Sequence, residues 1–245
     1  MSEPHYLLLQ LREPNDAMLE HEQSCFADAL RAAPARFHAW NLLLGDVDRA
    51  LLDRADLVLI GGSPKSVVTG GPWLGRVLAL VEELIARKKP TFGVCFGFQV
   101  IAKALGGEVV RDLARSEIGT VDVALSAHGL RDPVFAPLGA VFAGQMGHED
   151  VVVRLPETAV SLASSARVPH EALRVRGAPV YATQFHPEMD ERRLHERLGR
   201  YPQFVRRLAG APFEEFAPAG IRPSPQTDAL LPRFAALAAA TAVAR

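Results

Sequence analysis

The chain has 245 residues, 49% of them hydrophobic and 22% charged, enough apolar surface for a substantial core and too much for a disordered segment. Its 27 Lys and Arg nearly balance 28 Asp and Glu, and no basic stripe is interleaved with aromatics, so neither composition nor charge points to a nucleic-acid partner. Two cysteines, Cys25 and Cys95, make neither a disulfide framework nor a zinc-finger spacing, so reduced thiols and a cytoplasmic location are expected.

The first strand is expected at Tyr6 to Gln10; no basic leader precedes it, and its apolar run is too short to span a membrane. A helix follows over Ala17 to Ala32, where Met18, Cys25, Phe26 and Leu30 fall at helical spacing, and Pro34 ends it. Phe37 to Leu44 reads as a second strand. Asp53 to Asp56 leads into a buried strand, Leu57 to Ile60, which stops at Gly61-Gly62-Ser63-Pro64. The next helix is expected over Pro72 to Arg87. Thr91 to Val94 then forms a strand that runs into Cys95 and a helix from Phe98 to Leu105, closed by Gly106-Gly107. This alternation of strands and helices is the pattern of a parallel sheet.

Beyond Gly107 the texture changes to short strands: Glu108 to Arg111, Thr120 to Leu125, Ala140 to Ala143, Val151 to Leu155, Val160 to Ser164, Ala172 to Val175 and Val180 to Phe185. Antiparallel additions to the sheet suit them better than further crossovers. One long helical region, Asp190 to Leu208, precedes a Pro-rich stretch from Ala211 to Pro225. The apolar run Phe234 to Ala244 reads as a terminal helix packed on the same body, in a domain layout of residues 1–210 plus an extension, 211–245.

The chemistry concentrates at Gly93-Val94-Cys95-Phe96-Gly97-Phe98-Gln99. A cysteine on a sharp turn between strand and helix takes strained backbone angles, and side chains at Gly93 and Gly97 would collide with the closely packed strand and helix. The helix N-terminus is expected to favour thiolate, and the amide after the cysteine can donate to an oxyanion. The bland alternative is a small buried hydrophobe, which is the assignment for Cys25, mid-helix with no flanking glycines. Gln184-Phe185-His186-Pro187-Glu188 supplies a base directly after a strand, with Glu188 placed to orient His186. The other histidines, apart from His148, are assigned structural roles. His186 and Glu188 have no cysteine or histidine neighbour at ligand spacing, so no metal and no cofactor are expected.

Together these two motifs resemble the class I, or triad, glutamine amidotransferases, in particular free-standing members similar to the glutaminase domain of GMP synthetase. Supporting matches lie at Gly61-Gly62-Ser63-Pro64, Ser116-Glu117-Ile118-Gly119 and Gly147-His148-Glu149-Asp150. The resemblance implies a flavodoxin-like three-layer α/β sandwich, a mostly parallel sheet with extra antiparallel strands, and a nucleophile at the C-terminal edge of a central strand. It implies Cys95 as the nucleophile, His186 as the proton shuttle and Glu188 as its orienter. The backbone N–H groups of Gly62 and Phe96 match the oxyanion hole; Gln99, Gly61 and His148 match positions around the substrate. Ser116-Glu117 either meets the ligand or turns a strand.

Glutamine or another γ-glutamyl small molecule is the expected substrate, and a synthetase or other ammonia acceptor the expected partner, since the chain carries no phosphate-binding GxxxxGK[ST] loop. A γ-glutamyl peptidase would use the same thioester with a different leaving group, its specificity set in the Lys65 to Trp73 loop. A catalytically silent regulator or a redox-sensing cysteine protein is the reading from a different class. Neither nucleic acid nor membrane is expected as a partner, and oligomeric state is not legible.

Overall fold

The computed structural model describes residues 3–243. Strand β1 (Tyr6–Gln10) is buried along its whole length, and the alternation of its side chains shows why the sequence is apolar from Tyr6 to Leu9. Leu7 and Leu9 enter one core cluster, with Val58 and Ile60 of β3 (Leu57–Ile60), whereas Tyr6 and Leu8 enter another, with Leu57 and Leu59. Both faces of the sheet are therefore covered. Helices α3 (Leu74–Ala86) and α4 (Phe96–Ala104) pack on the first side; α1 (Met18–Leu30) and α8 (Leu230–Val243) supply the second. This is the flavodoxin-like three-layer sandwich.

The nine-stranded sheet runs β2-β1-β3-β4-β11-β10-β9-β6-β7. Strands β2 (Phe37–Asn41), β1, β3, β4 (Thr91–Val94) and β11 (Val180–Thr183) are mutually parallel. Strands β10 (Ala172–Val175), β9 (Ala159–Ser165), β6 (Glu117–Leu125) and β7 (Val141–His148) extend it antiparallel. A separate antiparallel ribbon joins β5 (Glu108–Arg111) to β8 (Asp150–Arg154). The chain order 2-1-3-4 puts the reversal of winding at β1, and the crevice at the C-terminal ends of such strands is where ligands bind in open sheets. Gln10, Ile60, Val94 and Thr183 end their strands at that edge.

Several expected elements change. Helix α2 (Arg49–Arg54) forms where only a lead-in to β3 was expected, started by the Asp48 carboxylate accepting from Ala50 N–H at 2.8 Å. The helical region from Asp190 to Leu208 divides into α5 (Glu191–Gly199) and α6 (Pro202–Ala209), because Pro202 restricts Tyr201 to a non-helical backbone and itself suits only a helix start. The Pro-rich stretch holds helix α7 (Phe213–Gly220), with Glu214 and Glu215 in its first turn. Strands β6 and β7 run three and five residues further than their apolar cores suggested, and their register continues through Gly144, Gln145 and Gly147 to pair Glu117 with His148.

The terminal helix is part of the core. Phe234 is buried, with ring centroids 5.2 Å from Phe92 on β4 and 5.3 Å from Tyr181 on β11. Ala244 at the end of the expected apolar run lies outside the described residues. No helix among the described residues is long and apolar enough to cross a membrane.

Candidate active site

The elbow is built by backbone strain and two close approaches. Cys95, between β4 and α4, has φ 53° and ψ −99°, a region that costs a non-glycine residue about 1–3 kcal/mol and persists only where surroundings enforce it. The enforcement is visible: Cys95 N–H donates to Thr183 O on β11 at 2.8 Å, and Cys95 O accepts from Gln99 N–H at 3.1 Å. A Cβ on Gly93 would lie 2.7 Å from the Gly97 carbonyl, and one on Gly97 would lie 2.3 Å from Ile60 O. Gly93 and Gly97 are thus required by the distance between helix and sheet.

The Gly61-Gly62 loop follows β3 and faces this elbow. Gly61 O accepts from Gly97 N–H at 3.2 Å, and because a trans peptide sets its N–H opposite its C=O, Gly62 N–H is turned away from that contact. Among the described residues Gly62 N–H has no backbone acceptor. Phe96 N–H, one of the unpaired amides at the start of α4, is directed at the Cys95 sulfur. Two amide donors are therefore available beside the thiol. A Cβ on Gly62 would lie 3.0 Å from His186 Cε1 and 3.8 Å from Cys95 Cβ, which places imidazole, thiol and loop around one point.

His186 follows β11, held by its N–H donating to Gln145 O at 2.9 Å. Its Nδ1 lies 2.7 Å from Glu188 Oε1, and a carboxylate can only accept, so Nδ1 carries the proton and Nε2 is left to receive one. Burial alone would push the Glu188 carboxyl up, but the His186 ring and the Arg197 guanidinium outweigh it and hold the group below its ordinary range. Burial pushes the Cys95 thiol up to about 12, with the Glu188 charge adding to it, against the smaller opposing effects of Arg197 and Phe96 N–H. The direction is opposite to the shift expected from the helix N-terminus alone, because desolvation of the buried sulfur outweighs the Phe96 N–H and Arg197.

Gln99 is buried, its Nε2 donating to Asp150 O and to Gln184 Oε1, each at 3.1 Å. His148 is also buried, with its ring nitrogens facing interior groups: Nδ1 is 3.1 Å from Asp150 O, and Nε2 is 3.5 Å from Glu117 Oε2. Glu117 is the first residue of β6, within the strand and not in a turn, and its buried carboxylate faces His148. In the Lys65 to Trp73 loop, Ser66 Oγ donates to Asp150 Oδ2 at 2.5 Å and Trp73 packs edge-on against Phe96 at 5.6 Å.

Three supporting groups had no motif to announce them. Glu22, fully buried on α1, accepts from Gln10 Nε2 at 2.9 Å and from Arg12 Nε at 3.2 Å and Nη2 at 3.4 Å. Its carboxyl carbon is 2.8 Å from where a Gly61 Cβ would stand, so this ion pair backs the loop that carries Gly62 N–H. Arg197 on α5 lies 3.6 Å from Glu188 Oε1 and 3.4 Å from His21 Nδ1. The place of Arg12, just past the C-terminal end of β1, is the one signal the crevice rule could have used. Replacing Arg12 with Met is expected to cost about 3–5 kcal/mol by leaving the Glu22 charge buried without its partner, read as a lower urea midpoint. The double change Arg12→Met with Glu22→Gln should recover much of that loss; no recovery would sink the ion-pair account.

A family model described as glutamine amidotransferase class-I matches residues 33–199. One subunit of the glutamine-hydrolyzing GMP synthase of Methanothermobacter thermautotrophicus is 34% identical over 145 residues, 57% of this chain and 74% of that protein. Gamma-glutamyl peptidase 3 of Arabidopsis thaliana is 30% identical over 154 residues, and the match spans 61% of each chain. A solved structure of a glutamine amidotransferase from Thermotoga maritima superposes with a TM-score of 0.76 at 18% identity, covering 97% of this chain and 99% of that one, a likeness of fold. The family match spans more than half of the sequence and includes the elbow, His186 and Glu188, and the protein belongs to the class I glutamine amidotransferases.

Proposed function

We propose that the protein hydrolyses the side-chain amide of glutamine through a thioester on Cys95, releasing ammonia and glutamate. The observation that carries the reading is the convergence, at Gly62, of the strained Cys95 with the His186–Glu188 pair and two amide donors. His186 Nε2 takes the thiol proton as the sulfur attacks the amide carbon, and the carbonyl oxygen becomes an oxyanion that Gly62 N–H and Phe96 N–H stabilise. Collapse breaks the C–N bond, and the imidazolium returns the proton to the leaving nitrogen, giving ammonia and the γ-glutamyl thioester. Water, deprotonated by His186, then releases glutamate and restores the thiol. Glu188 holds the imidazole in the required tautomer, and Arg197 beside it keeps that carboxylate charged.

Ammonia released in this way would pass to an acceptor on a separate protein, a reading supported by the relative that is one subunit of a glutamine-hydrolyzing synthase. A second reading, cleavage of γ-glutamyl peptides, is favoured by the likeness to a gamma-glutamyl peptidase; it needs the same thioester and a wider leaving-group side. The test is a substrate panel of glutamine, glutathione and other γ-glutamyl compounds, scored by released glutamate. Turnover of glutamine alone supports the amidotransferase reading, and turnover of γ-glutamyl peptides in its place replaces it with the peptidase. Hydrolysis of none, with no acyl-enzyme seen by mass, would overturn both.

A further inference from the structure

A second buried group of chemistry-bearing side chains lies in the antiparallel half of the sheet, and the proposed hydrolysis does not use it. Glu117 and His148 are register partners on β6 and β7. Glu171 stands just before β10, fixed by its N–H donating to Ala163 O and its carbonyl accepting from Gln184 N–H, both at 2.8 Å. The three contribute one donor atom each within 4.8 Å of one another, and their exposures are 4%, 3% and 0%.

The hydrogen bonds around this group turn lone pairs toward its centre. His148 Nδ1 is 3.1 Å from Asp150 O; a carbonyl only accepts, so Nδ1 holds a proton and Nε2 is the nitrogen turned toward the centre, where it can serve as a ligand. Ser165 Oγ donates to Glu117 Oε1 at 2.7 Å, which leaves Glu117 Oε2 for the centre. Glu117 Oε2, His148 Nε2 and both carboxylate oxygens of Glu171 are buried and without a hydrogen-bond partner among the described residues. Two carboxyl groups and an imidazole converging in a dry interior need either shared protons or a cation between them.

We propose that Glu117, His148 and Glu171 bind a divalent first-row transition metal, with Zn²⁺ the ion that suits them best. Two carboxylates balance its charge, and an imidazole with two carboxylates is a donor set such ions accept. His148 Nε2 and Glu117 Oε2 are 3.5 Å apart, against ~3.4 Å for two ligands each about 2.1 Å from a tetrahedral ion. The backbone carbonyl on Nδ1 and the hydroxyl on Glu117 are the outer partners that orient ligands at metal sites. The site braces β6, β7 and the start of β10 from within. Asp150 O links it to the candidate pocket, since it also accepts from Gln99 Nε2 at 3.1 Å.

The experiment measures metal by plasma mass spectrometry on full-length protein, chelator-treated and then incubated with Zn²⁺ or, separately, Mg²⁺, and freed of excess ion. A Cys95→Ala background keeps zinc off the catalytic thiol. One equivalent of Zn²⁺ retained, no Mg²⁺, and a raised thermal midpoint with Zn²⁺ are expected. Glu171→Gln, which keeps shape and can fill its own hydrogen bonds, should fold and weaken Zn²⁺ retention by at least about tenfold, and His148→Gln likewise. No Zn²⁺ retained by the parent protein would overturn the proposal and leave a proton as the neutralising charge. Equal retention by Glu171→Gln would overturn it as well.

Discussion

Cys95→Ala is expected to lower glutamine hydrolysis by at least about 10⁴-fold, because removal of a nucleophile leaves only binding and the oxyanion donors. The same change should abolish the mass adduct formed with a glutamine-shaped electrophile, while Cys25, fully buried against His21, stays unmodified in both proteins. The resting state of the thiol adds a second readout. Since burial pushes it up to about 12, a small neutral alkylating reagent should react slowly at neutral pH and faster as pH rises. A reagent that occupies the substrate position should label at neutral pH, since His186 can take the proton during attack. Hydrolysis that persists in Cys95→Ala would remove the thioester from the mechanism. Fast, pH-independent alkylation by the small reagent would show that the thiolate is already formed.

Gly97→Ala is expected to cost about 5 kcal/mol or more, a large share of the stability of an ordinary domain. The added methyl would stand 2.3 Å from Ile60 O and 3.0 Å from Ile60 Cβ. Ile60 belongs to β3, clamped between β1 and β4, so the strand cannot yield. The start of α4 must move, and Cys95 and Phe96 N–H with it. A useful contrast is Gly75→Ala on α3, where an added Cβ meets nothing within 4 Å; there the change should be neutral or stabilising, by up to about 1 kcal/mol. Urea midpoints of the two variants decide the matter: equal stability would mean that the helix does not press on the sheet at Gly97.

The elements that were legible in advance share one property, that their signal is local. Strands β1, β3 and β4 are buried on both faces and so read as mainly apolar runs, polar only at Gln10 and Thr91, with the bounds the structure gives them. Helix α7 was hidden because Pro212 and Pro218 resemble a loop, although Pro212 stands outside the helix start and only Pro218 lies within it. The far ends of β6 and β7 were hidden because Gly144, Gln145 and Gly147 carry no strand propensity; their pairing across the sheet, and not their composition, keeps them extended.

The candidate site divides in the same way. The elbow around Cys95 and the His186–Glu188 pair are short contiguous motifs, since a strained turn and a residue two positions away constrain neighbours in the chain. By itself the sequence therefore determined the fold class and singled out Cys95, His186 and Glu188 as the candidate nucleophile, base and orienter. Tertiary structure alone decided that Arg12 and Glu22 back the Gly61-Gly62 loop, that Arg197 reaches Glu188, that Glu117, His148 and Glu171 share one buried centre, and that burial pushes the Cys95 thiol up. Each of these depends on residues far apart in the chain, whose types are ordinary where they stand. Their charge and burial acquire meaning only when folding removes the water between them, since dehydration strengthens a buried ion pair and penalises an unpaired charge.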